Sequence, residues 1–365
     1  MMAEEKMTKK KMSKASKNAF LNYGIVLAFF VIFQTLSSTG ILSNSLKGQL
    51  IPVVSYMIMA VSLNLVVGIS GELSLGHAGF MSIGAFTGVV VEAVILSNSP
   101  AAATLSKNLG LQILILVASI VAGAVIAGVA GVLIGIPVLR LNGDYLAIVT
   151  LAFGEIIKNL LYCLYIYIDD TGLHFSLDPA ALTGTTVLNG PMGATSIKKI
   201  SIFAAGVVLL LVVLVIVQNL VNSRSGRAIM AIRDNRIAAE ASGLHITKYK
   251  MMAFVTSAAL AGAAGALYAL NYSTIVPKKF DFNTSILILV FVVLGGIGNM
   301  TGALIAAAVL TVLPEMLRDF QDYRMLVYAI VLILVMLLTN NEKVKAILAG
   351  IFNKKKSNNE AKEVA

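Results

Sequence analysis

Apolar residues gather into ten blocks, at roughly 19–36, 51–69, 78–97, 111–136, 145–168, 200–221, 251–274, 285–297, 302–317 and 325–339. Most of them reach the ~17–25 residues that a helix needs to cross ~30 Å of hydrocarbon. The eighth and ninth are short and separated only by residues 298–301, which leaves them open to being a broken or re-entrant pair. The pattern predicts an all-α, polytopic integral membrane protein of about ten transmembrane helices, with eight as the lower bound. Residues 1–18 form a polar, Lys-rich arm, 19–339 the membrane domain and 340–365 a polar, Lys-rich tail. The arm and the first block together mimic a signal peptide. No small-x-small cleavage pattern follows, and further apolar blocks come at once, so the first block is read as a crossing.

Composition agrees. The 365 residues are 58% hydrophobic and 13% charged, with a mean hydropathy of +0.88, whereas soluble domains are about half apolar and a quarter charged. The net charge of +10 does not indicate nucleic acid, because the basic residues sit in short loops and tails between apolar blocks. There they act as topology signals. With ten crossings and a cytoplasmic N-terminus, 19 Lys and Arg fall in the inner segments against 8 in the outer ones. That bias puts both termini and residues 222–250 in the cytoplasm, and residues 169–199 outside. Ten crossings divide five and five, which suits an inverted repeat, although no internal sequence echo is visible. The outer 169–199 segment carries Asp169, Asp170, Asp178, Pro179 and Pro191 and reads as a structured surface loop. A single cysteine, Cys163, rules out an intrachain disulfide. In a chain without Trp, Tyr162, Tyr165 and Tyr167 stand as interfacial aromatics at one helix end.

Two stretches depart from plain membrane helix. Residues 62–86, SLNLVVGISGELSLGHAGFMSIGAF, hold Gly68, Gly71, Gly76, Gly79 and Gly84, too many for a simple helical hairpin. Glycine lets the backbone break and approach its neighbours. Irregular backbone at membrane depth is tolerated only against protein or a water-filled path. Two readings stand: a tightly packed cytoplasmic turn, or a gate or substrate-pathway element in which Asn64, Ser74, Gly76 and His77 are the candidates. The second stretch, 222–250, is the one long charged interval between two apolar blocks. Arg224, Arg227, Arg233, Arg236, Lys248 and Lys250 face only Asp234 and Glu240 there. No Pro or Gly interrupts residues 227–242, so a helix of about four turns is expected, with Gly243 as its stop. A basic loop held inside by charge and a helix built to be gripped by another protein both fit this composition.

The wording of the second stretch, GRAIMAIRDNRIAAEASGLHITKYKMMAF, closely resembles the cytoplasmic coupling loop of permease subunits from bacterial branched-chain amino acid ABC transporters, the LivM type. The family's Glu-Ala-Ala-like motif and its following Gly match Ala239, Glu240, Ala241 and Gly243. The resemblance extends to LNLVVG, SLGH and GAF within 62–86, to GDYLAIVTLAFGEIIKNLL at 143–161 and to PKKFDFNTSILILVFVVLGGIGNMTGALIAA further on. The family's Arg-Pro-Gln-Gly after the last span is replaced here by Thr339, Asn340, Asn341 and Glu342. The resemblance implies a multi-pass permease of the bacterial cell (inner) membrane that binds no cofactor itself. Two ATPase subunits would supply ATP hydrolysis, a second homologous permease would complete the path, and an extracytoplasmic amino-acid-binding protein would deliver the solute. Arg227, Arg233, Asp234, Glu240 and Gly243 would carry coupling, with Ile229 and Ile232 giving apolar contact.

Other signals are structural or negative. Gly123, Ala127, Gly131 and Gly135 recur every four residues, as do Ala258, Gly262 and Ala266 and the set Ala261, Gly265 and Ala269. Such small-residue ridges let helices pack with their backbones close. GGIGNMTG at 295–302 lacks the spacing of a dinucleotide loop. Glu92, Glu155 and Lys158 are ionisable groups within blocks, each costing about 2.5–3.5 kcal/mol at a helix centre; Glu155 and Lys158, three apart, are placed to pair. His77, His174 and His245 stand apart with no metal-ligand spacing, and no Gly-x4-Gly-Lys-Ser/Thr occurs, so the chain lacks a P-loop. No enzyme site is expected. The alternatives are a related permease for a nucleoside, simple sugar, urea or another amino acid, and an ion-coupled carrier that needs no ATPase.

Overall fold

The computed structural model describes residues 14–39, 43–97, 109–141, 143–169, 172–178, 184–195 and 197–317, with scattered positions between 323 and 333. Residues 1–308 form one compact unit and residues 309–365 a second. Of the second unit, the last turns of a helix ending at Met316 and short helical stretches from 326 to 333 are described. Most of the tenth apolar block, residues 1–13 of the N-terminal arm and the whole 340–365 tail lie outside the described residues.

Among the described residues seven helices are long and apolar enough to cross a membrane. They are α1 (Lys14–Ser38), α2 (Asn44–Asn64) with its π-helical continuation Leu65–Ser70, α3 (His77–Ser97), α4 (Leu109–Val138), α5 (Asp144–Cys163), α6 (Phe203–Asn222) and α9 (Ile246–Ala269). Between α6 and α9 lie two short helices, α7 (Arg224–Asp234) and α8 (Arg236–Ala241). Two shorter apolar helices follow, α10 (Phe282–Gly295) and α11 (Met300–Met316). At 1.5 Å per residue, the 14 residues of α10 span about 21 Å, short of the ~30 Å core. Gly295 and Gly302 touch backbone to backbone, so α10 and α11 form a tight hairpin.

The packing follows from small residues. Along α4, Ile115, Ser119, Gly123, Ala127, Gly131 and Gly135 point inward, while Leu114, Val117, Val121, Val125, Val129 and Leu133 are exposed. This is the split expected of a helix with one face on protein and the other toward lipid. The inward ridge lies on α9. A Cβ at Gly262 would run into the Gly123 carbonyl and the Ala127 side chain, and one at Gly131 would stand 2.7 Å from the Ala258 Cβ. On the other side of α9, Gly265 sits against the Met81 carbonyl of α3, and Gly84 of α3 against the Gly262 carbonyl. Helices α3, α4 and α9 thus meet with almost no side chain between them. In a bilayer such contact supplies the van der Waals attraction that the hydrophobic effect does not.

Two expectations are corrected. The chain is not purely helical: β1 (Tyr165–Asp169), β2 (Gly172–Ser176) and β3 (Thr185–Asn189) make a three-stranded antiparallel sheet in the order β2-β1-β3. The apolar block at 145–168 is therefore not one helix. It turns at Leu164 into Tyr-Ile-Tyr-Ile-Asp, whose period of two and β-branched or aromatic residues suit a strand. Tyr162 stays on the last turn of α5, while Tyr165 and Tyr167 belong to β1, where Tyr167 stacks on His174 of β2 with ring centres 5.2 Å apart. The expected four-turn helix at 227–243 is broken as well. Asn235 takes an extended conformation (φ −152°, ψ 102°), and its side chain accepts the Ala238 N–H at 3.0 Å, starting α8 afresh. Asn favours such a cap because its short amide satisfies an N–H that the first turn leaves open.

The loops sort onto two ends of the bundle. At one end the sheet meets the α9–α10 connection through paired Ala194 and Ile275, and Glu92 near the end of α3 accepts the Lys198 N–H. At the other end lie residues 71–76, α7, α8 and the α10–α11 turn, which make the contacts described next.

Candidate functional site at the break in α2

Helix α2 is among the most buried elements, yet its last turn is not α-helical. Residues Leu65–Ser70 widen into a π-helical turn that ends at Gly71 with φ +75°. A π-helical turn inside an α-helix is rare and recurs at functional sites. Gly68 lies in the last turn of this helix, where carbonyls have no partner within the helix, and Arg233 takes its carbonyl: Nη1 donates to Gly68 O at 2.9 Å. The same guanidinium holds Asp234, with Nη2 2.9 Å from Oδ1. A Cβ at Gly71 would stand only 2.6 Å from the Arg233 Cγ, so glycine is required there for space as well as for φ.

The other side of the break is also held. Asn64 Oδ1 accepts the Gly298 N–H of the α10–α11 turn at 2.9 Å. A Cβ at Gly68 would collide with that Gly298 amide and with Asn64. Lys250, at the start of α9, forms an ion pair with Glu72, and both side chains are nearly buried (9% and 11% exposed). The break in α2 is thereby tied to α7, α9 and the α10–α11 turn at once.

The four pathway candidates are all drawn into this region, with different parts to play. Asn64, Ser74 and His77 are buried (0%, 1% and 2% exposed). His77 Nε2 is 2.8 Å from Ser62 Oγ, and Ser257 Oγ donates to the Ser62 carbonyl at 2.5 Å. The Ala78 N–H reaches Ser285 Oγ at 3.2 Å. A polar seam thus joins α2, α3, α9 and α10. Gly76 is a packing residue, since any side chain there would meet the Thr150 carbonyl of α5. Asn64 Nδ2 and Ser74 Oγ are buried without a hydrogen-bond partner. Buried polar groups are nearly always paired, so these two atoms are the ones in the seam with capacity to spare.

The coupling candidates divide by burial. Arg227, Arg233, Asp234, Glu240 and Gly243 are exposed. Gly243 has φ +81° and ends the loop helices as expected. Ile229 and Ile232 do not offer contact to another protein: they are 1% and 3% exposed and face the chain's own interior. The apolar residue presented outward is Ile237, 81% exposed. The turn at Asn235 rotates it away from the face that Ile229 and Ile232 occupy. Beside it, Arg236, Glu240, Gly243 and His245 border a cavity of about 340 Å³ at the α8–α9 junction. The resemblance implied Ile229 and Ile232 for this contact, but the side of α7 that carries them packs against the chain itself. Glu72 and Lys250 were also missed as partners. The only hint was a lone acid in the glycine-rich run before His77.

Nothing here resembles a catalytic centre. Among the described residues no group of three or more His, Cys, Asp or Glu could hold a metal ion. Glu155 and Lys158 pair with each other on α5. The arrangement is a charged, exposed helix pair joined through Arg233 to a discontinuity in a buried helix.

Several known proteins similar to this chain share one description. The family model described as branched-chain amino acid transport system / permease component matches residues 46–336. The chain is 34% identical over 316 residues to the high-affinity branched-chain amino acid transport system permease protein LivM of Salmonella typhimurium (strain LT2), covering 77% of this chain and 66% of that protein. The same identity and coverage hold for LivM of Escherichia coli K12. A probable branched-chain amino acid transport permease protein LivM of Methanocaldococcus jannaschii is 26% identical over 288 residues, covering 73% and 79%. The match thus spans about two thirds of the length of the first two relatives. No solved structure matches the chain.

Proposed function

Because the chain belongs to the family of branched-chain amino acid transport system permease components, we propose that it is the membrane-spanning permease subunit of an ATP-driven importer for Leu, Ile or Val. Two ATPase subunits hydrolyse ATP in this reading, a second related permease completes the path, and an extracytoplasmic binding protein delivers the amino acid. The observation that carries it is the Arg233–Gly68 hydrogen bond. An exposed basic helix pair is the expected handle for an ATPase, and here it is fastened to the break in α2. Pulling on α7 displaces the Gly68 carbonyl and, through Asn64, the α10–α11 turn. Alternating access needs such a connection between a cytoplasmic motor and the buried polar seam, and it needs rigid helices, which the close contacts of α3, α4 and α9 provide.

The positive-inside bias supports placing the α7–α8 end in the cytoplasm, with both termini, and the sheet outside. Ten crossings in two inverted halves remain part of the proposal, seven long helices and two shorter apolar ones being described. The test is reconstitution of the chain with its ATPases and second permease in proteoliposomes, with the binding protein inside the assay. ATP-dependent uptake of leucine, isoleucine or valine is expected. Uptake that persists without ATP but collapses with an uncoupler overturns the reading in favour of an ion-coupled carrier. Uptake of a sugar or nucleoside in place of these amino acids overturns the substrate.

A further inference from the structure

At the end of the bundle opposite α7, the outer turns of α3 and the sheet enclose a second cavity, of about 180 Å³. It is too small for a drug-sized ligand, which takes ~300–1,000 Å³, and large enough for several waters at ~30 Å³ each or one small solute. Its wall is mixed: Val89 and Leu96 of α3, Ile168 of β1, Val187 of β3 and Ile197 make an aliphatic part, and one Ser and three Thr add hydroxyls. Into this wall is set one carboxylate. Glu92 lines the cavity although its residue is 2% exposed, and Oε1 is held by the Lys198 backbone N–H at 2.8 Å. Lys198 lines the cavity too, and its exposed side chain brings a cation to the rim.

A buried carboxylate is costly to keep unless something meets its charge. Within the chain Glu92 is met by one backbone N–H, which an uncharged Gln would accept equally well, and by the charge of Lys198 beside it. A solute ammonium placed between the two would meet the Glu92 charge more closely. The aliphatic part of the wall asks for hydrocarbon, and Lys198 for an anion. One class of small molecule carries all three: a zwitterionic α-amino acid with an aliphatic side chain.

We infer that this cavity is an entry site of the permease for such an amino acid, with Glu92 receiving the α-ammonium, Lys198 the α-carboxylate and the aliphatic part of the wall the side chain. The inference rests on the proposed function and adds a place where the solute pauses between its carrier and the polar seam. The site lies in the chain itself, so it binds without ATP.

The experiment uses the full complex in detergent without nucleotide. Exposed Cys163 is first replaced by Ser, and Ala93, which lines the cavity, by Cys. The maleimide labelling rate is then followed with L-leucine, with isoamylamine (no carboxylate) and with isocaproate (no ammonium). L-leucine is expected to slow labelling, and each single-charge analogue to need at least about tenfold more, the scale of one charge-assisted hydrogen bond. Adding Glu92→Gln should raise the half-protecting leucine concentration about tenfold, while leaving the N–H of Lys198 an acceptor. Leu96→Cys replaces Ala93→Cys if the latter does not assemble. Labelling indifferent to leucine, in a complex that still imports leucine, overturns the inference and leaves the proposed function standing. Equal protection by isoamylamine overturns the zwitterion in favour of a plain cation site. A complex that imports no aliphatic amino acid at all removes both.

Discussion

Arg233 and Gly68 are 165 residues apart in the chain, yet the guanidinium of the first donates to the carbonyl of the second at 2.9 Å. Gly68 lies in the last turn of the helix that ends at Ser70, where carbonyls are left open to such a donor. Surface helix and buried helix are therefore joined at one point. Replacing Arg233 by Ala is expected to lower ATP-driven uptake about tenfold or more, in line with the loss of a hydrogen bond to a charged group. ATP turnover should fall less, since α7 and α8 remain. Arg233→Lys should rescue only partly, because an ammonium lacks the fork that serves Asp234 and Gly68 together. Uptake per ATP hydrolysed is the quantity to measure, and an unchanged ratio in Arg233→Ala would remove the connection.

Ile237, not Ile229 or Ile232, should make the apolar contact with the ATPase. Ile237→Asp is expected to weaken association of the ATPase by a factor of ten or more, as loss of an interface anchor does, while membrane insertion stays intact. Ile229→Asp buries an unpaired charge and should instead reduce the yield of folded protein. Co-purification and detergent-extracted yield separate the two. Glu240→Lys should likewise uncouple ATP turnover from uptake without preventing insertion.

The Glu72–Lys250 pair holds residues 71–76 to α9. Removing one partner leaves a nearly buried charge alone, which costs about 3–5 kcal/mol. Glu72→Gln and Lys250→Met should each lower thermal stability in detergent clearly. The double variant should recover much of that loss, because both charges go together. A double variant no more stable than the singles would deny the pairing.

The opposite end is expected to respond to pH through Tyr272. Burial pushes its hydroxyl above the ordinary 10.0, so the folded state favours the protonated form. Its contribution to stability is fully present below pH ~10 and is lost as the pH rises through the raised folded value. Replacing it by Phe should therefore make the fall in melting temperature between about pH 9 and about pH 11 shallower. The same ring lies 4.5 Å from the Lys279 ammonium, whose pKa burial lowers. The Phe variant keeps that cation–π contact, and Tyr272→Leu removes it.

At Gly84 and Gly265 the backbones of α3 and α9 touch. Changing either to Val would force the helices apart and is expected to abolish assembly, whereas Gly110→Ala, with open space around it, should be neutral. Size-exclusion profiles in detergent would show the contrast.

Much of this was legible from one dimension. Block length and hydropathy mark membrane helices because the hydrocarbon core sets a fixed span and tolerates no unpaired backbone. The four-residue spacing of Gly123, Ala127, Gly131 and Gly135 marks a packing face because α-helical geometry repeats with nearly that period. The excess of glycine at 62–86 and the charge at 222–250 mark the two partners of the Arg233–Gly68 contact because such residues have few other uses beside lipid. What the chain alone could not decide was pairing and phase. Asn235 breaks a stretch of good helix formers because its cap outweighs their weak propensity, and that turn decides which isoleucine faces out. The strand at 165–169 ends a block that hydropathy reads as continuous, since a strand and a helix there are equally apolar. Which carbonyl Arg233 reaches, which lysine meets Glu72 and which loop covers Glu92 depend on contacts between distant segments. Those exist only once the helices have packed, and packing is set by the fit of whole surfaces rather than by any residue's local preference.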